Sequence, residues 1–281
     1  MDAVRPVHEE LYAVIGHPVA HSLSPAMMRA AFAHLGYPAV YLALDVASAG
    51  EGLDLLYRVG FQGLSVTIPH KESALGRCVS VDEGARAVGA VNTVRRTASG
   101  WEGRNTDWLG AVRALQRKGP LKGRTALVIG AGGAARGVVY GLMQGGAALA
   151  VTNRSPERGQ ALARGFDCDF VAFEDLGSRS FDLVVQTTSV GMTGQPDALP
   201  LPPGFFRAGM TVMDIVYRPL WTRFLKEARD AGCETVTGLD MLLYQGMAQL
   251  EWWTGLEAPE EVMRRALEAA LEPGEDPSAG R

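Results

Sequence analysis

The sequence predicts an α/β fold in two domains. Three observations carry that expectation. The chain has 281 residues, against roughly 150 per domain. Short apolar runs alternate with stretches of helical periodicity. A glycine-rich turn joins one such run to the next helix. Strands alternating with helices of roughly 10–15 residues make βαβ units and a parallel sheet.

Taken in order, Leu11–Ile15 reads as an apolar strand ended by Gly16-His17-Pro18. Ser24-Pro25 opens a helix running to Leu35, with proline at its first position and Gly36 just past its end. That asymmetry suits a missing N–H at the start and a left-handed residue at the stop. Val40–Leu44 is a strand, Gly52–Val59 a helix, and Leu64–Ile68 a strand that meets Pro69. Ala90–Arg95 is a further strand, and the turn Thr97-Ala98-Ser99-Gly100 sends Trp101 back as a hairpin. The texture then becomes regular. Asp107–Lys118 is helical, Ala126–Ile129 a buried strand, Ala135–Gln144 a helix, Ala148–Thr152 a strand and Pro156–Arg164 a helix. Leu183–Gln186 and Val212–Val216 are strands; Leu220–Ala231, Met241–Leu250 and Pro259–Leu271 are helical. The segment 273–281 is rich in Pro, Gly, Ser and charge, and is expected to be a frayed tail.

Composition narrows the function. Hydrophobic residues make up 47% and charged residues 21%, which excludes a disordered chain, a collagen-like fibre and a disulfide scaffold. A net charge of −4 without a basic run argues against nucleic acid. No apolar run spans a membrane, and the charged N-terminus lacks a signal-peptide core. Cys78, Cys168 and Cys233 have no metal-site spacing and point to a reduced, cytoplasmic chain. His17 and His21 lie four apart, but Pro18 argues against a helix aligning them, so no metal is expected. Glycine is in excess: 34 residues, about 12% against a typical ~7%.

Part of that excess lies in Gly130-Ala131-Gly132-Gly133-Ala134-Ala135-Arg136, between a strand and a helix. This is a variant of the dinucleotide fingerprint: the first glycine permits the tight turn, the second admits a pyrophosphate to the backbone, and the helix start offers N–H donors. A plain βα turn is the simpler alternative. An NAD site carries Asp or Glu at the end of the next strand; here Asn153-Arg154-Ser155 stands there. Arg154 suits a 2′-phosphate, which favours NADP, although a solvated arginine has the same sequence. Outside this half, Ser22 and Ser24 follow the first strand, and Ser24 also suits an N-cap. Ser65-Val66-Thr67-Ile68-Pro69-His70-Lys71 ends in one of only four lysines, where a surface charge is the plain alternative. Asn105-Thr106-Asp107 opens a helix, where Asp107 also suits a cap.

Together these blocks resemble the shikimate dehydrogenase family from Ile15 to Gln245. The matching blocks are I-G-H-P-V-A-H-S-L-S-P from Ile15, S-V-T-I-P-H-K from Ser65, G-A-V-N-T-V from Gly89 and N-T-D from Asn105. They continue with G-A-G-G-A-A-R from Gly130, N-R-S from Asn153, T-S-V-G-M from Thr188, D-I-V-Y-R-P from Asp214 and G-L-D-M-L-L-Y-Q from Gly238. The resemblance implies NADPH-dependent, reversible reduction of 3-dehydroshikimate to shikimate, a step of chorismate and aromatic amino-acid biosynthesis. It implies Lys71 and Asp107 as the catalytic pair. It implies Ser22, Ser24, Thr67, Asn92, Tyr217 and Gln245 as substrate contacts. Gly130, Gly132, Gly133 and Ala134 would cradle the pyrophosphate, with Asn153, Arg154 and Ser155 on the 2′-phosphate. Thr187, Ser189, Met192, Gly238 and Met241 would line the nicotinamide end; Met241 also suits a helix core.

The resemblance further implies a substrate-binding domain of residues 1–107, completed by 239–272, around a Rossmann-like NADP-binding domain of residues 108–238. The partners expected are a small molecule and, at most, a second copy of the chain as a homodimer. Three departures from the family pattern touch fine cofactor preference: Ser65 stands where Asn is frequent, Ser155 where Thr is, and Gln186-Thr187 where Asn-Ala is. Two competing expectations remain. A quinate/shikimate dehydrogenase with relaxed cofactor use would sit better with an acidic residue in place of Arg154. A non-enzymatic nucleotide sensor would sit better without Lys71 or Asp107.

Overall fold

The computed structural model describes residues 9–271; the expected tail, 273–281, lies outside them. The chain divides into two compact units, one running up to Thr106 and resuming at Gly246–Leu271, the other Asp107–Gln245. Asp107 and residues 239–245 thus fall with the second unit.

The first unit begins with β1 (Glu10–Gly16), α1 (Ser24–Leu35), β2 (Ala39–Asp45), α2 (Ala49–Val59) and β3 (Gly63–Val66). Next come α3 (Lys71–Leu75), β4 (Cys78–Val81), α4 (Glu83–Val88), β5 (Thr93–Thr97) and β6 (Gly100–Arg104). Its sheet runs β2-β1-β3-β5-β6-β4. β1, β2 and β3 are parallel, whereas β5 lies antiparallel to both β3 and β6. The sheet is therefore mixed rather than wholly parallel, because the hairpin at Thr97–Gly100 reverses the chain. The strand expected at Ala90–Arg95 starts at Thr93; Ala90 and Val91 have no regular structure and Asn92 is a bend, held by side chains described below. The core gathers Ile15, Leu53, Leu64, Val66, Val91, Val94 and Trp101. The Trp101 indole N–H is satisfied by the Leu53 carbonyl at 2.9 Å.

The second unit holds α5 (Asp107–Gln116), β7 (Thr125–Ile129), α6 (Gly133–Gln144), β8 (Ala148–Thr152), α7 (Pro156–Gly165) and β9 (Asp169–Phe170). After a 3₁₀ turn come β10 (Leu183–Gln186), β11 (Thr211–Asp214), α8 (Arg223–Asp230), β12 (Glu234–Val236) and α9 (Gly238–Thr254). The helix expected at Leu220–Ala231 starts at Arg223, where the Thr222 hydroxyl caps it by accepting from the Leu225 N–H. The sheet is parallel, in the order β12-β11-β10-β7-β8-β9. This is the Rossmann-like order, whose direction of winding switches between β7 and β10. The unit boundary falls inside α9. The last helix, α10 (Glu260–Ala270), packs on α1 in the first unit. Among the described residues, no helix is long and apolar enough to cross a membrane.

Candidate active site

In open α/β sheets ligands bind beyond the carboxyl ends of the strands, at the switch point. Two turns lie there: Gly130 after β7 and Thr187 after β10. Gly130 has φ +120°, a left-handed conformation. A Cβ there would stand 2.5 Å from the Thr187 hydroxyl, which donates to the Ile129 carbonyl at 2.7 Å. Gly132 and Gly133 face open space where a Cβ would stand, and no side chain caps α6. The turn therefore fits a dinucleotide pyrophosphate: exposed glycine backbone, a helix start and room for a ligand. Ala134 is the second residue of α6 and is half-buried.

At the end of β8, the Asn153 side-chain amide donates to the Ser155 carbonyl at 2.9 Å, and Arg154 is exposed. No carboxylate occupies the strand end, but one lies close by in a place the sequence reading passed over. The Ser155 hydroxyl donates to Glu157 at 3.0 Å in the first turn of α7. Glu157's own backbone N–H, then Ser155, hold its carboxyl below the ordinary range. Arg158, one turn beyond Arg154, adds a second exposed cation.

A buried polar cluster stands at the ends of β10 and β11. Gln186 and Asp214 are paired residues and fully buried. One Asp214 oxygen accepts from the Val216 N–H at 2.9 Å and the Gln186 amide at 3.3 Å; the other accepts from the Thr222 hydroxyl at 2.6 Å. Burial pushes the Asp214 carboxyl from its ordinary 3.8 up to about 6, against the opposing pull of these three donors. The folded chain therefore holds this proton more tightly than the unfolded one. Burying the ionised form costs roughly 2–3 kcal/mol above pH 6, a cost relieved as pH falls toward 4. Asp214→Asn does not titrate. Measured by denaturant unfolding, the unmutated protein should gain that amount relative to the variant between about pH 8 and pH 4. A difference independent of pH would show that Asp214 does not titrate in this way.

Ser189 is exposed, Met192 largely so, and Tyr217 half-buried. Gly238 is buried so closely that a Cβ would lie 2.4 Å from the Ile215 carbonyl oxygen. Met241 is 9% exposed. A Cβ on Gly110 of α5 would press the Met241 carbonyl and Gln245, so α5 and α9 meet backbone to backbone. Gln245 donates to the Leu242 carbonyl.

In the first unit, Ser24 is the first residue of α1 and Leu23 takes the cap position, so the cap reading of Ser24 does not hold. The Ser24 N–H donates to the Ser22 hydroxyl at 3.3 Å, and its side chain bonds Tyr41. Tyr41 bonds Ser65 at 2.6 Å, and Ser65 donates to Gln249 at 2.5 Å. Gln249 was not singled out by sequence; its signal was the i, i+4 spacing from Gln245. His17 pairs with Asp45 at 2.5 Å. Among the described residues, no group of three or more His, Cys, Asp or Glu side chains could hold a metal.

Lys71 opens α3 and is half-buried. Its carbonyl accepts from the Val91 N–H at 2.9 Å. The next residue, Asn92, is 2% exposed; its Oδ1 accepts from the Thr106 N–H at 2.7 Å and its amide donates to the Thr106 hydroxyl at 2.9 Å. Asn105 donates to the Ala90 carbonyl at 3.0 Å. These bonds bind the start of α3 to the segment that leads into Asp107. Thr67 donates its N–H to the Ile15 carbonyl, and the Gly16 backbone leaves room for its methyl.

A Rossmann-like unit with a phosphate cradle, together with an α/β unit presenting a lysine at a helix start, defines the class of two-domain dinucleotide-dependent dehydrogenases. Residues 14–94 match the shikimate dehydrogenase substrate binding domain. Residues 113–192 match shikimate / quinate 5-dehydrogenase, and 238–268 the shikimate 5′-dehydrogenase C-terminal domain. A shikimate dehydrogenase (NADP(+)) of Syntrophobacter fumaroxidans is 52% identical, over 95% of this chain and 95% of that protein. The structure of a Thermus thermophilus shikimate 5-dehydrogenase with NADP(H) and shikimate aligns with TM-score 0.87 at 43% identity, covering 93% of this chain and all of that one. A Corynebacterium glutamicum quinate dehydrogenase with NAD aligns with TM-score 0.86 at 31% identity, covering 93% and 99%. The chain belongs to the shikimate dehydrogenase family.

Proposed function

We infer that the protein is an oxidoreductase catalysing the reversible reduction of 3-dehydroshikimate by NADPH, giving shikimate and NADP⁺ in aromatic amino-acid biosynthesis. The observation that carries the catalytic assignment is the run of bonds from the Lys71 carbonyl through Val91 and Asn92 to Thr106, next to Asp107. It fixes the backbone of Lys71 and that of Thr106, the residue before Asp107. NADPH supplies the hydride. Lys71 donates the proton to the alkoxide oxygen as the ketone is reduced, and takes it back in the reverse direction. Asp107 orients the Lys71 ammonium. Ser22 and Ser24 take the substrate carboxylate, and Thr67, Asn92, Gln245 and Tyr217 its hydroxyls. Asn92 already spends much of its capacity on Thr106, so it acts chiefly by holding that residue.

Gly130, Gly132, Gly133 and Ala134 receive the pyrophosphate, and Asn153, Arg154 and Ser155 the 2′-phosphate. Thr187, Ser189, Met192, Gly238 and Met241 form the nicotinamide end. A reduced, cytoplasmic location belongs to the same proposal, supported by three half-buried cysteines, all unpaired.

The test is an absorbance assay of shikimate and quinate against NADP⁺ and NAD⁺. Shikimate with NADP⁺ should be the most active combination. A silent shikimate/NADP⁺ reaction beside an active quinate one would overturn the assignment. In the same grid Arg154→Ala should raise the KM for NADP⁺ by about 10-fold or more, the loss of a charge-assisted bond, and barely move that for NAD⁺. Equal effects on both would remove Arg154 from the 2′-phosphate.

A further inference from the structure

The loop after β10 has little apolar packing to hold it. Residues 192–198 are exposed, and one flank borders an open cavity of about 410 Å³ lined by Gly191, Met192, Pro219 and Trp221. What fixes the loop is polar. The Gln186 side chain accepts from the Thr188 N–H and donates to the Val190 carbonyl, spanning the turn from inside. The Val190 N–H returns to the Thr188 hydroxyl at 3.2 Å.

The same Gln186 amide reaches Asp214, whose carboxylate also holds the Val216 N–H and the Thr222 hydroxyl. Gly191 packs on Thr222, and the Thr193 N–H donates to the Arg218 carbonyl. Gly238, at the start of α9, rests on the Ile215 and Val216 backbone. Two segments therefore meet on two buried side chains, the 187–193 loop and the 215–218 segment, and the start of α9 rests on the backbone of the second.

We propose that Gln186 and Asp214 form a polar clamp that positions the wall of the nicotinamide end, acting through the loop and segment it joins. Both side chains are fully buried. They are positioning residues, and the proposal rests on the dinucleotide reading of this unit. Gln186→Met keeps the volume and breaks every clamp bond that Gln186 makes. Asp214→Asn keeps an oxygen for Val216 and Gln186 and serves as the conservative variant.

The measurements are NADPH affinity by cofactor fluorescence without turnover, hydrogen exchange, and the kcat and KM for shikimate. Gln186→Met should weaken NADPH binding about 5–20-fold, lower kcat about 10-fold and leave the shikimate KM within about twofold. Its amides over 187–193 should exchange at least about tenfold faster, with those of β7 unchanged. Asp214→Asn should stay within about threefold of the unmutated protein in NADPH affinity. NADPH affinity and loop exchange within twofold in Gln186→Met would overturn the clamp, as would equal acceleration throughout the sheet. An unmutated protein that binds NADPH but does not oxidise shikimate would overturn the substrate assignment and leave the clamp standing. An unmutated protein that does not bind NADPH would overturn both.

Discussion

Lys71→Ala lowers kcat by at least about 10²-fold, the lower bound for losing a general acid, while the KM for shikimate moves only a few-fold. The asymmetry follows from when the side chain is needed. A ketone oxygen in the ground state asks little of a nearby ammonium. As the hydride arrives it becomes an alkoxide and needs a proton, and only interactions that grow toward the transition state change kcat. The variant should also fold. α3 is tied down by groups other than the lysine side chain: His70 bonds the Val46 carbonyl at 2.7 Å, its N–H the Thr67 carbonyl at 2.9 Å, and the Lys71 carbonyl receives Val91. Stability should change by no more than about 1 kcal/mol, the range for a partly exposed charged side chain and its ion pair. Steady-state kinetics beside a thermal melt give the answer, and a kcat close to normal removes Lys71 from the proton transfer.

The Rossmann-like unit was the more legible in sequence because its signals are local. A run such as Ala126–Ile129 is buried on both faces and reads as apolar whatever its neighbours. The glycines after it declare the turn. The first unit was harder. α3 has five residues and β4 four, too few for either periodicity to show, and β4 is partly exposed. The antiparallel placement of β5 depends on pairing with β3, a long-range choice. At Ala90–Asn92 the apolar pattern suggests strand, but the strand begins only at Thr93 and the Asn92 side chain is committed to Thr106.

Within the site, residue types carrying charge or glycine were visible, and the buried amides and carboxylates that hold them were not. Gln186, Asp214 and Gln249 announce nothing alone, since each becomes informative only when its partner is known. Asp214 stood in a matching block without a role, although a carboxylate closing an apolar strand was a signal. Glu157 lies past the strand end, where its sequence position gives no sign of a link to the strand, and Ser155 joins the first turn of α7 to it.

Gly130→Ala and Gly132→Ala separate two uses of glycine that sequence treats alike. At Gly130 a side chain meets two costs: φ +120° strains any L residue, and the new Cβ lies 2.5 Å from the Thr187 hydroxyl. Displacing that hydroxyl breaks its bond to Ile129. Backbone strain of about 1–3 kcal/mol and a lost hydrogen bond of about 1 give a loss of roughly 2–4 kcal/mol. A melting temperature about 5–12 °C lower is expected. Adding Thr187→Ala should recover part of the loss and leave the share due to φ. At Gly132, φ is −90° and a Cβ meets nothing within 4 Å. That variant should melt within about 2 °C of the unmutated protein. Yet its methyl stands where the pyrophosphate approaches the backbone, so the KM for NADP⁺ should rise about tenfold or more. If both variants melt normally, the turn does not depend on its glycine. If Gly132→Ala keeps its NADP⁺ KM, the pyrophosphate does not lie against that backbone.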